Sequence, residues 1–240
     1  MPRLKTVEPS GHADVVIAGS GISGALVAEA LQQAGFSVLV VDRRPPMTGS
    51  TPASTALLQF EIDTPLLELQ RKIGKPDAAR AWWRSAQAVQ GLSDKIKDLN
   101  LDCDFEPRST LYLPGNTLRT SDLKREADAR RRIGLRSEFI DGARLKALSG
   151  ISRPGAILSA GNGEADPVKL LSGLWRNFLR NGGRIAGKVE VTGFEQSRSS
   201  VQLQTGDGRI IRAKNAVFCT GYEIMKRQFN SEKPQGAGIR

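Results

Sequence analysis

Residues Asp14–Asp42 read DVVIAGSGISGALVAEALQQAGFSVLVVD, and this stretch decides the fold. Val15-Val16-Ile17-Ala18 is an uninterrupted apolar run, the pattern of a strand buried on both faces in a parallel sheet. The turn Gly19-Ser20-Gly21-Ile22-Ser23-Gly24 follows at once, then apolar residues at helical spacing from Ala25 to Leu31, stopped by Ala34-Gly35. A second apolar run, Val38–Val41, delivers Asp42, 18 residues beyond Gly24. In such a strand–turn–helix–strand unit the first glycine makes the tight turn and the second admits a pyrophosphate close to the backbone. The third lets the helix pack on the sheet. The helix mouth offers unpaired N–H groups and partial positive charge to phosphates, and the acid can accept hydrogen bonds from both ribose hydroxyls. A glycine-rich turn alone is weak evidence; with the flanking strands, helix and acid in place, the stretch predicts a dinucleotide site.

Composition agrees with an enzyme-like globular chain. The 240 residues are 39% hydrophobic and 25% charged, enough for one large domain or one domain carrying an insertion. No apolar run is long enough to cross a membrane, and Met1–Gly11 has no apolar stretch of the kind that makes a secretory signal. Cys103 and Cys219 stand far apart without metal spacing, so a reduced, cytoplasmic setting is expected. The single histidine, His12, has no partner nearby in sequence and reads as solvent-facing. One histidine in the chain also excludes histidine-dependent triads and most zinc sites.

A net charge of +10 raises the question of nucleic acid. Much of the excess lies between Arg119 and Arg136, where Lys124, Arg125, Arg130, Arg131 and Arg132 are interrupted by Asp122, Glu126 and Asp128. Mixed signs at helical spacing with no interleaved aromatics predict a solvated helix face rather than a nucleic-acid surface.

Beyond Asp42, Arg43-Arg44-Pro45-Pro46 leads into Met47–Leu58, rich in small polar residues, Gly and Pro. Its residues alone allow a plain surface loop or a loop laid across a cofactor. Here the chain resembles a known family. The glycine turn, Asp42-Arg43 and the stretch GSTPASTALLQFEIDTPL are similar to the FAD-dependent oxidoreductases of the D-amino-acid oxidase and glycine oxidase superfamily. Ala165-Asp166-Pro167, Asn181–Ile185, Lys188-Val189 and Phe218-Cys219-Thr220-Gly221 extend the likeness along nearly the whole chain. The resemblance implies an α/β fold: a Rossmann-like FAD-binding domain with a parallel sheet, plus an inserted α+β substrate-side domain. It implies FAD held by Gly19, Gly21, Ile22, Ser23, Gly24, Asp42 and Arg43, by Ser50, Thr51, Ser54 and Thr55, and by backbone at Val189, Thr220 and Gly221.

The same positions have readings of their own. Asp166-Pro167 starts a helix whose stripe of Leu170, Leu171, Leu174, Trp175, Phe178 and Leu179 is core, and Gly182-Gly183 ends it. Val189 on its own reads as a strand valine. Val201–Thr205 and Arg209–Ala213 alternate about Gly206-Asp207-Gly208, a hairpin. Cys219 reads as a small core residue rather than a nucleophile. Phe60–Gly161 reads as inserted material, helical from Leu66 through Trp82-Trp83 to Leu99, with Leu111–Leu113 and Gly155–Ala160 as strands. One of the two adjacent tryptophans must turn inward. The domain expectation is residues 1–100 and 163–240 for FAD binding and 101–162 for the insert.

The implied chemistry is hydride transfer from the α-carbon of a neutral amine or amino acid to the flavin, giving an imine that water hydrolyses; the protein supplies position and electrostatics. No side chain can be assigned a catalytic role from the sequence. Family members continue well past the Thr-Gly segment, whereas this chain ends in the polar, Gly-rich Phe229–Arg240, so a C-terminally truncated or split form is expected. Three functions follow: a flavin-dependent amine or amino-acid oxidoreductase; an FAD-binding remnant or half of a two-chain enzyme awaiting a partner chain; and an NAD(P)-binding dehydrogenase, with Arg43-Arg44 as the hint of a 2′-phosphate.

Overall fold

The two apolar runs that flank the glycine turn become adjacent parallel strands. A computed structural model describes Glu8 and residues 12–221. Its elements begin with β1 (Ala13–Ala18), α1 (Ile22–Gln33), β2 (Val38–Asp42), β3 (Leu57–Leu58), α2 (Leu66–Ile73) and α3 (Lys75–Asp98). They continue with β4 (Glu106–Tyr112), α4 (Thr120–Arg132), β5 (Ser137–Asp141), α5 (Gly142–Ser149), β6 (Gly155–Glu164) and α6 (Pro167–Arg180). The last four are β7 (Arg184–Gly187), β8 (Val191–Gln196), β9 (Val201–Thr205) and β10 (Ile210–Phe218). The chain folds as two units, one running to Ser54 and resuming at Leu171, the other spanning Thr55–Leu170. The sequence expectations for Phe229–Arg240, and for the leader apart from Glu8, lie outside the described residues.

Among the described residues the first unit forms a six-stranded sheet in the order β7-β2-β1-β10-β9-β8. The strands β7, β2, β1 and β10 are parallel; β9 pairs antiparallel with β10, and β8 antiparallel with β9. Val16, Leu39, Val41, Ala186, Leu203 and Ile211 form its core, which is why β1 and β2 carry no alternation. The hairpin between β9 and β10 turns where the sequence places it, with Gly208 at φ +82°. Along α6, Leu171, Leu174, Trp175 and Phe178 are fully buried, while Leu179 is half-exposed. Gly183 leaves room for the Phe178 ring, since a Cβ there would run into it. Beyond β7 the chain turns at Lys188, φ +60°, so Val189 lies past the strand rather than in it.

The second unit is antiparallel. The long strand β6 pairs with β4 on one side and with β3 and β5 on the other. Two expectations change here. The unit spans 55–170 instead of 101–162, because Phe60, Leu66, Ala78 and Trp82 share a core with Ala129 and Leu135. The helix expected from Leu66 to Leu99 is also two helices: Gly74 at φ +85° breaks it, and Pro76 occupies the first turn of α3. Trp82 is the inward tryptophan and Trp83 is 42% exposed.

The basic helix α4 departs from the solvated face that its charges predict. Arg119, Lys124, Arg125, Arg131 and Arg132 are exposed, but Glu126 and Arg130 are buried and paired at 2.9 Å. The Glu126 carboxylate also accepts from the amides of Leu66 (2.7 Å) and Leu67 (3.0 Å), capping α2, and the Arg130 guanidinium lies 4.4 Å from the Trp82 ring. A one-turn amphipathic pattern cannot report this, because the apolar cover comes from α2 and α3. Among the described residues no helix is long and apolar enough to cross a membrane.

Candidate cofactor cleft

Where β1 stops at Ala18, the glycine turn is shaped by backbone crowding. Gly19 adopts φ +114° and donates its amide to the Val41 carbonyl at 2.8 Å; a Cβ there would collide with the Cys219 carbonyl. A Cβ at Gly24 would collide with the Gly19 carbonyl, so α1 sits on the turn only because both residues are glycine. Gly21 differs. It is the extended N-cap of α1 with φ −73°, and a Cβ there would meet one atom within 4 Å, Thr51 Oγ1 at 3.4 Å. The space in front of Gly21 is therefore open.

Ser20, between the two glycines, is 2% exposed. Its amide and its hydroxyl each donate to Asp42 Oδ2 at 2.7 Å, and its carbonyl accepts from the Trp175 indole at 3.1 Å. The Arg44 amide donates to Asp42 Oδ1 at 2.9 Å. The turn of 3₁₀ helix at Thr51–Ala53 brings Thr51 Oγ1 to the mouth of α1, where it accepts from the Ile22 amide at 3.1 Å. That hydroxyl keeps its own proton to donate.

A cleft of about 830 Å³ opens above the turn, within the size range of small-molecule and cofactor pockets. Gly19, Gly21, Ile22 and Ser23 form its floor, and Asp42 and Arg43 one side. Ser50 and Thr51 lie along the crossing loop, and Val189, Thr220 and Gly221 complete the sequence-predicted residues that line it. Three others are elsewhere. Gly24 lies behind the turn, as its packing role requires, and Ser54 and Thr55 are exposed and outside the lining. The 3₁₀ turn runs from Thr51 to Ala53, Ser54 is extended, and Thr55 opens the second unit. Val189 donates its amide to the Asp42 carbonyl at 2.8 Å, so only its carbonyl is left for a ligand. Cys219 also lines the cleft, and burial pushes its thiol up, keeping it neutral and unreactive.

The sequence reading missed Thr48, Gly49 and the run Glu190–Thr192, and it named Arg44 only for a nicotinamide cofactor; all of these line the cleft. The small residues before Ser50 were a legible signal. Glu190–Thr192 had none, because the turn at Lys188 that carries them there is made by a lysine in a glycine-like conformation.

Model comparison then decides the family: residues 14–236 match the family described as DAO, FAD dependent oxidoreductase. The chain belongs to the DAO family. FAD is this family's cofactor, and the open cradle at Gly21 flanked by Asp42 fits it. Gamma-glutamylputrescine oxidoreductase of Escherichia coli is 23% identical over 85% of this chain and 48% of its own length. A Bacillus subtilis protein named for a Rieske 2Fe-2S iron-sulfur protein, YhfW, is 21% identical over 92% of this chain and 43% of its own. The crystal structure of glycine oxidase from Geobacillus kaustophilus superposes with a TM-score of 0.69 at 19% identity, covering 88% of this chain and 55% of that one. The chain thus spans about half the length of the relatives it matches.

Proposed function

We propose that this DAO-family chain is the FAD-holding part of an enzyme that oxidises an amine or an amino acid at its carbon–nitrogen bond. The observation that carries the reading is the open space in front of Gly21, bordered by the Asp42 carboxylate and the mouth of α1. When bound, FAD supplies the acceptor for the substrate's hydride. This chain's residues do the holding. Gly21, Ile22 and Ser23 would hold the diphosphate, with the Thr51 hydroxyl as a further donor and the helix dipole favouring its charge. Asp42 would take the adenosine ribose, and the Val189 carbonyl and the backbone of Thr220 and Gly221 would close the walls. Gly24 supports the turn from behind, and Arg43 adds positive charge at the rim.

The names of the relatives support the substrate class: gamma-glutamylputrescine, glycine and, in a further structural neighbour, L-amino acids are all amines. The 55–170 unit is assigned the substrate side, and no residue is assigned catalysis. Two free cysteines accord with a cytoplasmic setting. The chain spans about half the length of each of these relatives, and a second reading is that these residues hold FAD without turning over substrate by themselves. Anaerobic addition of amines and amino acids to the FAD-loaded chain tests both. Bleaching of the flavin colour supports turnover by this chain; bound flavin that stays coloured across the panel contradicts it and favours the second reading. A preference for NADPH over FAD would overturn both.

A further inference from the structure

The second unit divides its charge unevenly. Residues 66–98 and 119–136, which include α2, α3 and α4, carry fourteen Lys and Arg against seven Asp and Glu; the rest of 55–170 carries five against nine. Three contacts fasten these helices into one layer. Glu126 of α4 caps α2, Arg130 of α4 lies against the Trp82 ring of α3, and the Trp83 ring reaches Gly134 just past α4. The last contact is close: a Cβ at Gly134 would come within 3.1 Å of Trp83 Cζ2.

The same layer holds two exposed large apolar side chains, Ile73 and Trp83. Ile73 ends α2 between the exposed Arg71 and Lys72 and the exposed Lys75. Trp83 lies about two turns further along α3. Around it stand the exposed Arg80 and Arg84 of α3, and Arg131 and Arg132 at the end of α4 just before Gly134. Lys72, Arg80 and Arg131 each pair with a carboxylate on their own helix, the weak and salt-screened kind of pair. Among the described residues, Arg71, Lys75, Arg84 and Arg132 are in no ion pair.

We infer that the outer face of α2, α3 and α4 is a docking surface for an anionic phospholipid bilayer. Its basic side chains supply the attraction to the headgroups, and Trp83 the insertion among them. A protein partner would call for apolar side chains gathered into one desolvated centre. Here they stand apart, each among long cationic side chains, which is the composition of a surface that lies on a membrane without crossing it. The inference goes beyond the cofactor reading and does not depend on it.

Trp82 and Trp175 are fully buried, so of the three tryptophans Trp83 is the one exposed to report an encounter. The test is titration of the 240-residue chain with mixed phosphatidylcholine–phosphatidylglycerol vesicles, read by tryptophan emission and by co-sedimentation. The protein is expected to sediment with the vesicles while its emission moves to shorter wavelength. High salt, or vesicles of phosphatidylcholine alone, should abolish both effects. The double variant Arg84→Gln, Arg132→Gln should bind about ten-fold or more weaker with unchanged circular dichroism. Trp83→Ala should bind about five-fold weaker and lose the emission shift. Failure to sediment with the mixed vesicles overturns the inference, as does sedimentation without an emission shift or equal binding to phosphatidylcholine alone. Undiminished binding by the arginine double variant overturns it too. An equal emission shift with DNA or polyglutamate would replace it with a surface for polyanions in general.

Discussion

Each unit of this protein holds an acid against donors from its own backbone, and the two acids differ in what surrounds them. Asp42 is half-buried at the wall of a cleft, held by Ser20 and Arg44 and still facing open space. Glu126 is sealed, with both its Arg130 partner and the α2 amides it caps inside the second unit. The same chemistry therefore serves two ends. An acid with an open side is organised for something that arrives from solvent, whereas a sealed one is organised for the fold. Removing Asp42 should cost ligand binding, and removing Glu126 should cost stability.

The sharpest way to break that comparison is Glu126→Ala. It leaves the buried Arg130 guanidinium without its counter-charge and uncaps α2, and taking one partner from a buried pair costs roughly 3–5 kcal/mol. Urea unfolding should show a clearly lower midpoint, with the second unit melting first. A midpoint within error of the parent would mean that the pair is not sealed as described.

Gly21→Ala probes the other side. Its backbone is extended and its Cβ would touch only Thr51 Oγ1, so the substitution should cost no more than about 1 kcal/mol of stability, the penalty of alanine at a helix N-cap. FAD affinity should nevertheless fall at least ten-fold, because the methyl group stands where the diphosphate must approach. Loss of folding in this variant, or undiminished FAD binding, would contradict the assignment. Gly24→Ala should behave oppositely, losing structure and binding together through collision with the Gly19 carbonyl; circular dichroism and FAD titration of the same sample would show it.

The contrast between the units also explains what could be read in advance. The glycine turn, its two strands and Asp42 are contiguous, so their spacing carries the first unit's architecture on its surface. The hairpin about Gly206–Gly208 was legible for the same reason: strand alternation and turn residues are local. Glu126 and Arg130 were not, because four-residue spacing between opposite charges looks the same on an exposed helix as on a buried one. Only the distant Trp82 and Leu66 settle which it is. The break at Gly74 was written in the sequence as glycine followed by Pro76, and the apolar spacing on either side outweighed it. At Asp42 the sequence supplied the acid but not its occupancy, since Ser20 reaches it across the turn.

The smallest effect is expected at the far end of β1. Asp14 accepts from the Lys214 side chain and from the hydroxyl and amide of Ser37, linking β1 to β10 and to the approach of β2. These partners, Lys214 first, hold its carboxyl well below the usual carboxylate range. A carboxyl depressed in the folded state contributes stability that is complete above the unfolded value, about 3.9, and fades as pH falls below it. Asp14→Asn should therefore lower the thermal midpoint slightly at neutral pH, and the gap from the parent should close below about pH 4. A gap that widens in acid would reverse the sign of the argument.

Equilibrium titration of the 240-residue chain with FAD, read by quenching of flavin fluorescence, bears most directly on the cleft. The account predicts saturable uptake of one FAD per chain, competed by ADP and lost in Gly21→Ala, while circular dichroism stays that of the parent. A folded parent chain that leaves flavin fluorescence unchanged, or that takes up FAD equally well with alanine at position 21, would contradict it.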